Sequence, residues 1–395
     1  MPWPITAPAL ELRIPPGVES RPLASDMSLT QELKTKGSWT RTFFERRFPV
    51  LSAAKADLRR RVEGSDTIGP VGTADYPWGA VGMAVDYRIR LNFPAAASLP
   101  SRWSQWVADP SIPFMVVRDA SLPPPLAAES GASFQVGIYE SCPWRRSAGA
   151  FFGALADLLT RTEPHRLGVG ARDEELLCRF CYVLALYEQF RRTTSAWASS
   201  PLIDLGAGGG VDDLLGLCPE LAVRDIAALN AAFVSSQAHL LTQEVVLNPH
   251  FGGAAPIGGD GDLIVERCYI DIKATTEPKK PSPSQWPWEL LGYVLLDIDG
   301  RYQINSVGLY LARQASLVRW DLGEFVSLLA GPGRDVDLAA AKDELHAKLA
   351  RLARAARAAG ERQRRQAARL KELRAGQGVA QSWPTPPPPQ PPPCF

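Results

Sequence analysis

The sequence predicts a mixed α/β protein in which helices cover the faces of a sheet. Apolar residues recur at three- and four-residue spacing through residues 144–161, 172–192 and 225–241, which is typical of helices. From Glu244 onward the pattern changes to short β-like runs, then one helix, then two further strands. Runs as short and apolar as these are typical of a sheet that helices cover on both faces.

The chain before these strands is predicted to be mainly helical. Residues 1–26 are rich in proline and have no apolar period, so we expect an extended arm. Residues 27–243 form the mainly helical region. Within it, residues 85–93 (VDYRIRLNF) alternate apolar and polar side chains. This period of two favours a short half-buried strand, and a short helix is the alternative.

Residues 244–330 are expected to form the strand-rich core. The runs EVVLNPHF, GDGDLIV and CYIDIKAT each predict a strand, and Glu266–Arg267 predicts a tight hairpin between the last two. Residues 287–296 predict a helix, and SVGLYLAR and ASLVRWDL predict two more strands. The predicted order is therefore helix, three strands, helix, two strands.

The C-terminal part is predicted to be a long basic helix, residues 338–376, followed by a disordered Pro-rich tail, residues 377–395. Within the helix, residues 342–374 carry 11 basic and 4 acidic residues. Two interpretations stay open: a solvated or coiled-coil helix, or an arm that contacts nucleic-acid phosphates. The helix and the tail are also candidate contacts for a protein partner.

Composition argues against a membrane-spanning, secreted or disulfide-stabilised protein, but it does not identify a partner. Lys and Arg number 43 and Asp and Glu number 42, so net charge favours neither nucleic acid nor membrane. No stretch approaches the roughly 18 apolar residues that cross a bilayer, and the N-terminus lacks the pattern of a secretory signal. Six scattered cysteines do not make a disulfide scaffold. We therefore expect a reduced, cytoplasmic protein without membrane contact.

The strongest chemical signal lies in residues 258–275, GGDGDLIVERCYIDIKAT. In a tight antiparallel pair, opposite β-carbons lie about 5 Å apart, so Asp262 and Asp271 are expected to converge. Lys273 shares the face of Asp271, because side chains alternate along a strand. Two buried carboxylates repel each other, and a divalent cation such as Mg²⁺ would compensate them. The alternative is a surface ion pair, worth roughly 0–1 kcal/mol.

Asp262, followed by Asp271-Ile272-Lys273 on the next strand, a helix and a strand, resembles the core of the PD-(D/E)XK nuclease superfamily. The resemblance covers about residues 244–320. It implies a restriction-endonuclease-like αβββαβ core that hydrolyses phosphodiester bonds, most often in DNA, with Mg²⁺ or Mn²⁺. It further implies that Asp262, Asp271 and the carbonyl of Ile272 bind the metal and that Lys273 orients the attacking water. A role in bacterial defence or repair would follow from it.

The helix after this motif, WELLGYVLLD, resembles the corresponding helix of RecB-like members of the superfamily. A Gln often stands before LLGY in those members. Here Glu289 holds that place, and Gln285 lies one turn earlier. Glu289 and Gln285 are therefore candidate catalytic residues that would assist Lys273 and the two aspartates.

Many members of the superfamily add an acidic residue from the helix before the strands. Glu188, on a strongly apolar helix, is the best candidate for this metal ligand, and an ion pair with Arg191 or Arg192 is the alternative. Asp86 is a second candidate for the site, through phosphate contacts, and a salt-bridged face is the alternative there.

Two other functions are open. A catalytically inactive nuclease fold would serve as a nucleic-acid-binding or assembly subunit. The stretch IDLGAGGG, residues 203–210, resembles the glycine-rich turn of nucleotide- or S-adenosylmethionine-binding folds, so an S-adenosylmethionine-dependent methyltransferase is a minor alternative. That turn needs a buried strand before it, and the preceding residues predict a poor strand, so a connector is the favoured interpretation.

Overall fold

A computed structural model describes residues 27–70, 76–98, 143–163, 169–192, 200–205, 209–252, 257–276 and 285–377. The predicted arm, residues 1–26, and residues 378–395 of the predicted tail lie outside this part of the chain. Helices and a mixed sheet are both present, so the predicted mixed α/β class is confirmed.

Most of the described helices precede the main sheet in the chain; one connects two of its strands, and two follow its last strand. The first group is α1 (Leu29–Lys34), α2 (Trp39–Arg47), α3 (Leu51–Arg61), α4 (Trp78–Arg90), α5 (Pro143–Thr162), α6 (Ala171–Arg192), α7 (Pro201–Asp204), α8 (Val211–Gly216) and α9 (Glu220–Gln237). The later helices are α10 (Trp286–Leu296), α11 (Leu322–Ala330) and α12 (Leu338–Gln377).

The strands form two sheets. They are β1 (Met27–Ser28), β2 (Val245–Leu247), β3 (His250–Phe251), β4 (Ile257–Asp260), β5 (Leu263–Val265), β6 (Cys268–Lys273), β7 (Ser306–Leu311) and β8 (Ser316–Asp321). The main sheet has the order β2-β5-β6-β7-β8, in which β6 and β7 are parallel and the other pairs antiparallel. The small sheet has the order β1-β4-β3. The predicted strand GDGDLIV is thus split between the two sheets.

The predicted hairpin between β5 and β6 is confirmed. Glu266 and Arg267 have φ values of 47° and 69°, and Val265 pairs with Cys268 across the turn. Two consecutive residues with positive φ are typical of the two-residue turns whose twist matches that of the strands. The turn therefore fixes the register of β5 against β6.

Each face of the main sheet packs against its own layer of helices. Ile270 and Ile272 lie in an apolar core with residues of α4, α5, α6 and α9. Tyr269, on the opposite face of β6, lies in a second core with residues of α1 to α3 and α10 to α12. Because side chains alternate across the pleat, one short strand supplies both cores.

Residues 85–93 are not a strand, and that prediction was wrong. They belong to α4 and to the turn that follows it. The polar positions are buried rather than exposed: Arg88 pairs with Glu174 and donates a hydrogen bond to Asn92 at 2.8 Å. The alternation therefore reflects a helix buried on most sides, whose polar side chains find partners inside the protein.

The first part of α12 docks on the core, whereas most of the side chains that the structure describes in its later part are exposed. Ala341, Leu345 and Leu349 are buried in the second core. The His346 imidazole Nε2 lies 2.6 Å from the carbonyl oxygen of Leu295, near the end of α10. The basic helix is therefore anchored to the core by its first part.

A buried ion pair joins β7 to α9. Arg313, which closely follows β7, donates to both carboxylate oxygens of Asp225 at 3.0 and 2.6 Å. Both side chains are at most 1% exposed, and the Tyr76 hydroxyl donates a third hydrogen bond to the same carboxylate. The Asp225 carboxylate thus accepts hydrogen bonds from Arg313 and Tyr76, and the ion pair holds α9 on the sheet.

We predict that Asp225→Ala destabilises the protein by about 3–5 kcal/mol, because it leaves the Arg313 guanidinium buried without its counter-charge. Urea unfolding followed by circular dichroism measures the change. Asp212→Ala, at an exposed position of α8, is the control and should change stability by less than about 0.5 kcal/mol. Equal effects of the two substitutions would show that the buried pair does not hold the layers together.

Candidate functional site

The hairpin brings two aspartates to one end of the main sheet. Asp262 directly precedes β5, and Asp271 lies near the end of β6. Because the two strands are antiparallel, the start of β5 lies beside the end of β6. The Ile272 amide donates a hydrogen bond of 2.6 Å to Asp262 Oδ2, which holds that carboxylate against β6.

The Asp271 carboxyl, at this end of the sheet, has a strongly raised pKa. Its side chain is 10% exposed and forms an ion pair with Lys273 Nζ at 2.7 Å. Burial raises the pKa of Asp271 to about 7, with Lys273 opposing the shift and Asp262 adding to it. The nearby Asp262 charge thus makes ionisation of Asp271 more costly, which is the behaviour of two carboxylates that share a site.

Lys273 stays positively charged. Burial lowers its pKa, but the carboxylates of Asp271, Glu289 and Asp262 together raise it above the ordinary lysine value. Its side chain is 40% exposed, so the ammonium lies where the site meets solvent. A lysine with a raised pKa cannot take a proton from water near neutral pH. It can orient a bound water or offset negative charge.

Two helices of the first layer bring further carboxylates near Asp262. Glu188, on α6, accepts a hydrogen bond of 2.8 Å from the Tyr87 hydroxyl. Asp86, on α4, pairs with Arg90. Burial raises the pKa of Asp86, Arg90 lowers it, and the charges of Asp262 and Glu188 raise it further. The acidic side chains of the sheet and of this layer therefore lie close enough to influence one another.

Arg90 is the cation that balances this second group. The guanidinium is 4% exposed and contacts both the carboxylate of Asp86 and the side-chain oxygen of Asn248. Burial lowers the pKa of Arg90, but Asp86, Asp262 and Glu188 raise it overall. One oxygen of Asp86, Oδ1, is buried and has no hydrogen-bond partner among the described residues.

The structure places the remaining predicted residues as follows. Glu289 lies in the first turn of α10, close enough to Lys273 and Asp271 to shift the pKa of both. Gln285 stands at the N-cap position of that helix and is buried, but its side-chain oxygen has no hydrogen-bond partner in the part of the chain described. The side chains of Arg191 and Arg192, the alternative partners of Glu188, lie outside the described part.

Sequence reasoning missed three residues of this site. Arg90 and Tyr87 were not predicted as site residues, because residues 85–93 were expected to form a strand. Tyr293, one turn after Glu289 on α10, lies near Asp271, and burial followed by these two carboxylates raises its pKa. The four-residue spacing of Glu289 and Tyr293 on one helix face was a usable signal.

The predicted metal-ligand set is only partly assembled. Among the described residues, no three His, Cys, Asp or Glu side chains form a group that could hold one metal ion. Glu188 therefore does not join Asp262 and Asp271 as a third ligand; its carboxylate is engaged by Tyr87. Asp262 and Asp271 remain a two-carboxylate pair, and Mg²⁺ is commonly bound by one or two carboxylates together with water and phosphate oxygens.

Where a methyltransferase turn requires a strand, the described residues directly before the glycines form a helix. Residues 201–204 form helix α7, and residues 206–208 lie outside the described part of the chain. Asp204 therefore ends a helix rather than a strand, and the methyltransferase alternative gains no support.

Comparison of the chain with protein-family models, with curated proteins and with solved structures found no match. Within the described residues, none of the helices has the length and apolar character that crossing a membrane requires.

We predict that Asp271 makes the metal-free protein less stable as pH rises from about 4 to about 7. In this range the folded carboxyl keeps its proton while the unfolded one has lost it. The folded state therefore binds more protons, and raising the pH favours unfolding. Above about pH 7 the effect levels off.

Urea unfolding of wild type and Asp271→Asn across this pH range tests the prediction. The amide does not titrate, so the difference between the two proteins isolates the carboxyl. A difference that does not vary with pH would mean that Asp271 ionises at its ordinary pKa.

Proposed function

We propose that this protein is a metal-dependent nuclease of the PD-(D/E)XK type. The observation that carries the proposal is the meeting of Asp262, Asp271 and Lys273 at one end of the β5–β6 hairpin. The order of elements supports it. Helix α9 precedes β2, β5 and β6, and α10 then connects β6 to the parallel strand β7, which agrees with an αβββαβ core.

Asp262 and Asp271 would hold Mg²⁺ or Mn²⁺. The Ile272 amide fixes the orientation of the Asp262 carboxylate. The amide and carbonyl of one strand residue point to the same side, so the Ile272 carbonyl is directed towards Asp262 as well. A cation held there would supply a Lewis acid that polarises a phosphate oxygen and lowers the pKa of bound water.

The charges of the site fit such a cation. A carboxyl with a pKa of about 7 is costly to ionise at neutral pH, and a neighbouring positive ion would favour its ionised form. Carboxylate oxygens are also the ligands that Mg²⁺ prefers. A cation bound here would therefore offset the cost of ionising the buried Asp271 carboxyl.

Lys273 has the central role in the proposed reaction. Because it stays charged, it orients the attacking water and offsets the negative charge that builds on the phosphate oxygens. Asp271 holds the ammonium at 2.7 Å, and Glu289 stabilises its charge. The substrate class that the resemblance favours is DNA, and a role in bacterial defence or repair rests on the same resemblance.

A non-catalytic nucleic-acid-binding or assembly subunit is the second candidate. The hydrogen bond between Tyr87 and Glu188 favours it, because this bond engages the carboxylate that was expected to complete the metal site. Binding of duplex DNA with no cleavage in Mn²⁺ would support this function over the first.

We predict that Lys273→Ala folds normally and lowers Mg²⁺- or Mn²⁺-dependent cleavage at least about 100-fold, because charge stabilisation in the transition state is lost. Digestion of linear, circular and single-stranded DNA and of RNA, followed on gels, measures cleavage and identifies the substrate. Lys36→Ala, at an exposed position before α2, is the control and should cleave as wild type does. Undiminished cleavage by a well-folded Lys273→Ala protein would refute the mechanism.

We also predict that Asp262→Asn and Asp271→Asn each weaken Mn²⁺ binding at least about tenfold in isothermal titration calorimetry. Asp260→Asn is the matched control. Asp260 lies two residues from Asp262, but it pairs with His250 at 2.7 Å in the small sheet. Equal affinities for all three variants would show that Mn²⁺ binds elsewhere.

A further inference from the structure

The later part of α12 presents a row of positive charge. Its basic side chains that the structure describes as exposed are Arg351, Arg354, Arg362, Arg365 and Arg369. At 3.6 residues per turn these five positions fall within an arc of about 80° on one helix face. We call them the arginine row. It extends over about 18 residues, or about 27 Å along the helix axis.

The arginine row lies on a different side of α12 from the face that docks. Ala341, Leu345, Leu349 and the half-buried Leu352 define the docking side, about 140° away around the axis. Within the described residues, none of the five arginines forms an ion pair. The core therefore neither covers nor neutralises the arginine row.

We propose that the arginine row binds the phosphate backbone of duplex DNA. Arginine is suited to phosphate because its planar guanidinium offers paired donors. The row divides into a first group, Arg351 and Arg354, and a second, Arg362, Arg365 and Arg369. Arg354 and Arg362 are eight residues apart, or about 12 Å of helix, which is close to the width of the major groove. A straight helix across the groove thus places one group near each strand.

Charge also argues against a second copy of the chain on this surface. Two arginine rows facing each other would repel, whereas a nucleic acid supplies a regular line of negative charge. The choice of nucleic acid over an acidic protein rests on the proposed nuclease function.

The row is connected to the candidate site through α10. Helix α12 contacts Leu295 near the end of α10, and Glu289 lies in the first turn of that helix. These two positions are about six residues apart, or about 9 Å along the axis of α10. Helix α10 therefore contacts both the docked part of α12 and the candidate site.

The test compares two triple variants that lose the same charge. One is Arg362→Gln with Arg365→Gln and Arg369→Gln, in the arginine row. The control is Arg172→Gln with Arg224→Gln and Arg301→Gln, which are exposed positions elsewhere. Both are made in the Lys273→Ala protein in metal-free buffer, so that binding is measured whether or not the protein cleaves DNA.

Fluorescence anisotropy with a duplex of about 30 base pairs is measured between roughly 50 and 200 mM salt, where counterion release dominates the salt dependence. We expect the row variant to reduce the slope of log affinity against log salt by about 3, or about one unit for each phosphate that is no longer neutralised. The control should keep the wild-type slope. The corresponding Arg→Lys triple variant keeps the positive charge, so it should keep most of the wild-type slope.

Equal slopes for the row variant and the control would overturn the proposal. So would a row variant that loses binding to poly-glutamate but not to the duplex, because that result identifies an acidic protein surface as the partner. If the row variant loses DNA binding and the protein with Lys273 intact never cleaves, the arginine row stands and the nuclease function fails.

Discussion

The register of the β5–β6 hairpin decides whether the residues of the candidate site can meet. Glu266 and Arg267 turn the chain in two residues, so that Leu263 lies opposite Ile270 and the start of β5 reaches the end of β6. A slip of one residue would move every side chain of β6 to the other face of the sheet. Asp271 and Lys273 would then enter the apolar core of the first layer. The apolar pattern that fixes the fold therefore also fixes the position of Asp271 and Lys273 in the candidate site.

Both helical layers contribute charged side chains to the candidate site. Five acidic side chains influence one another there, and two cations, Arg90 and Lys273, oppose them. Arg90 belongs to the first layer and is buried, whereas Lys273 is half-exposed at the opening. Burial is the main cause of the raised pKa values of Asp86 and Asp271, and neither Arg90 nor Lys273 fully offsets it. A divalent cation, or protons in its absence, would offset the remaining cost of burial.

Helix α12 combines two roles that its composition alone does not separate. Leu345 and Leu349 bury its first part against the second core, and Glu344 contacts Arg46 and Arg47 on α2. The five arginines of its later part whose side chains the structure describes are exposed and share one side of the helix. Anchoring one end of a rigid helix orients the other end without covering it.

The order of elements and the central motif could be predicted from the chain alone. Period-3.6 and short apolar runs indicated the main helices and the strands of the sheet, and the turn at Glu266–Arg267 indicated that Asp262 lies near Asp271. These features depend on neighbours in the chain. Helix α4 could not be predicted in this way, because its alternation of polar and apolar residues reflects partners such as Glu174, which lies 86 residues from Arg88.

The packing of the layers, by contrast, determines which distant side chains meet at the end of β6. Arg90, Glu188 and Tyr293 come from three different helices, and no spacing along the chain encodes their approach to Asp262 or Asp271. Packing also brings Glu188 to Tyr87 instead of to the two aspartates. Local patterns follow from the geometry of helix and strand, whereas the sharing of charge among buried groups depends on contacts between elements far apart in the chain.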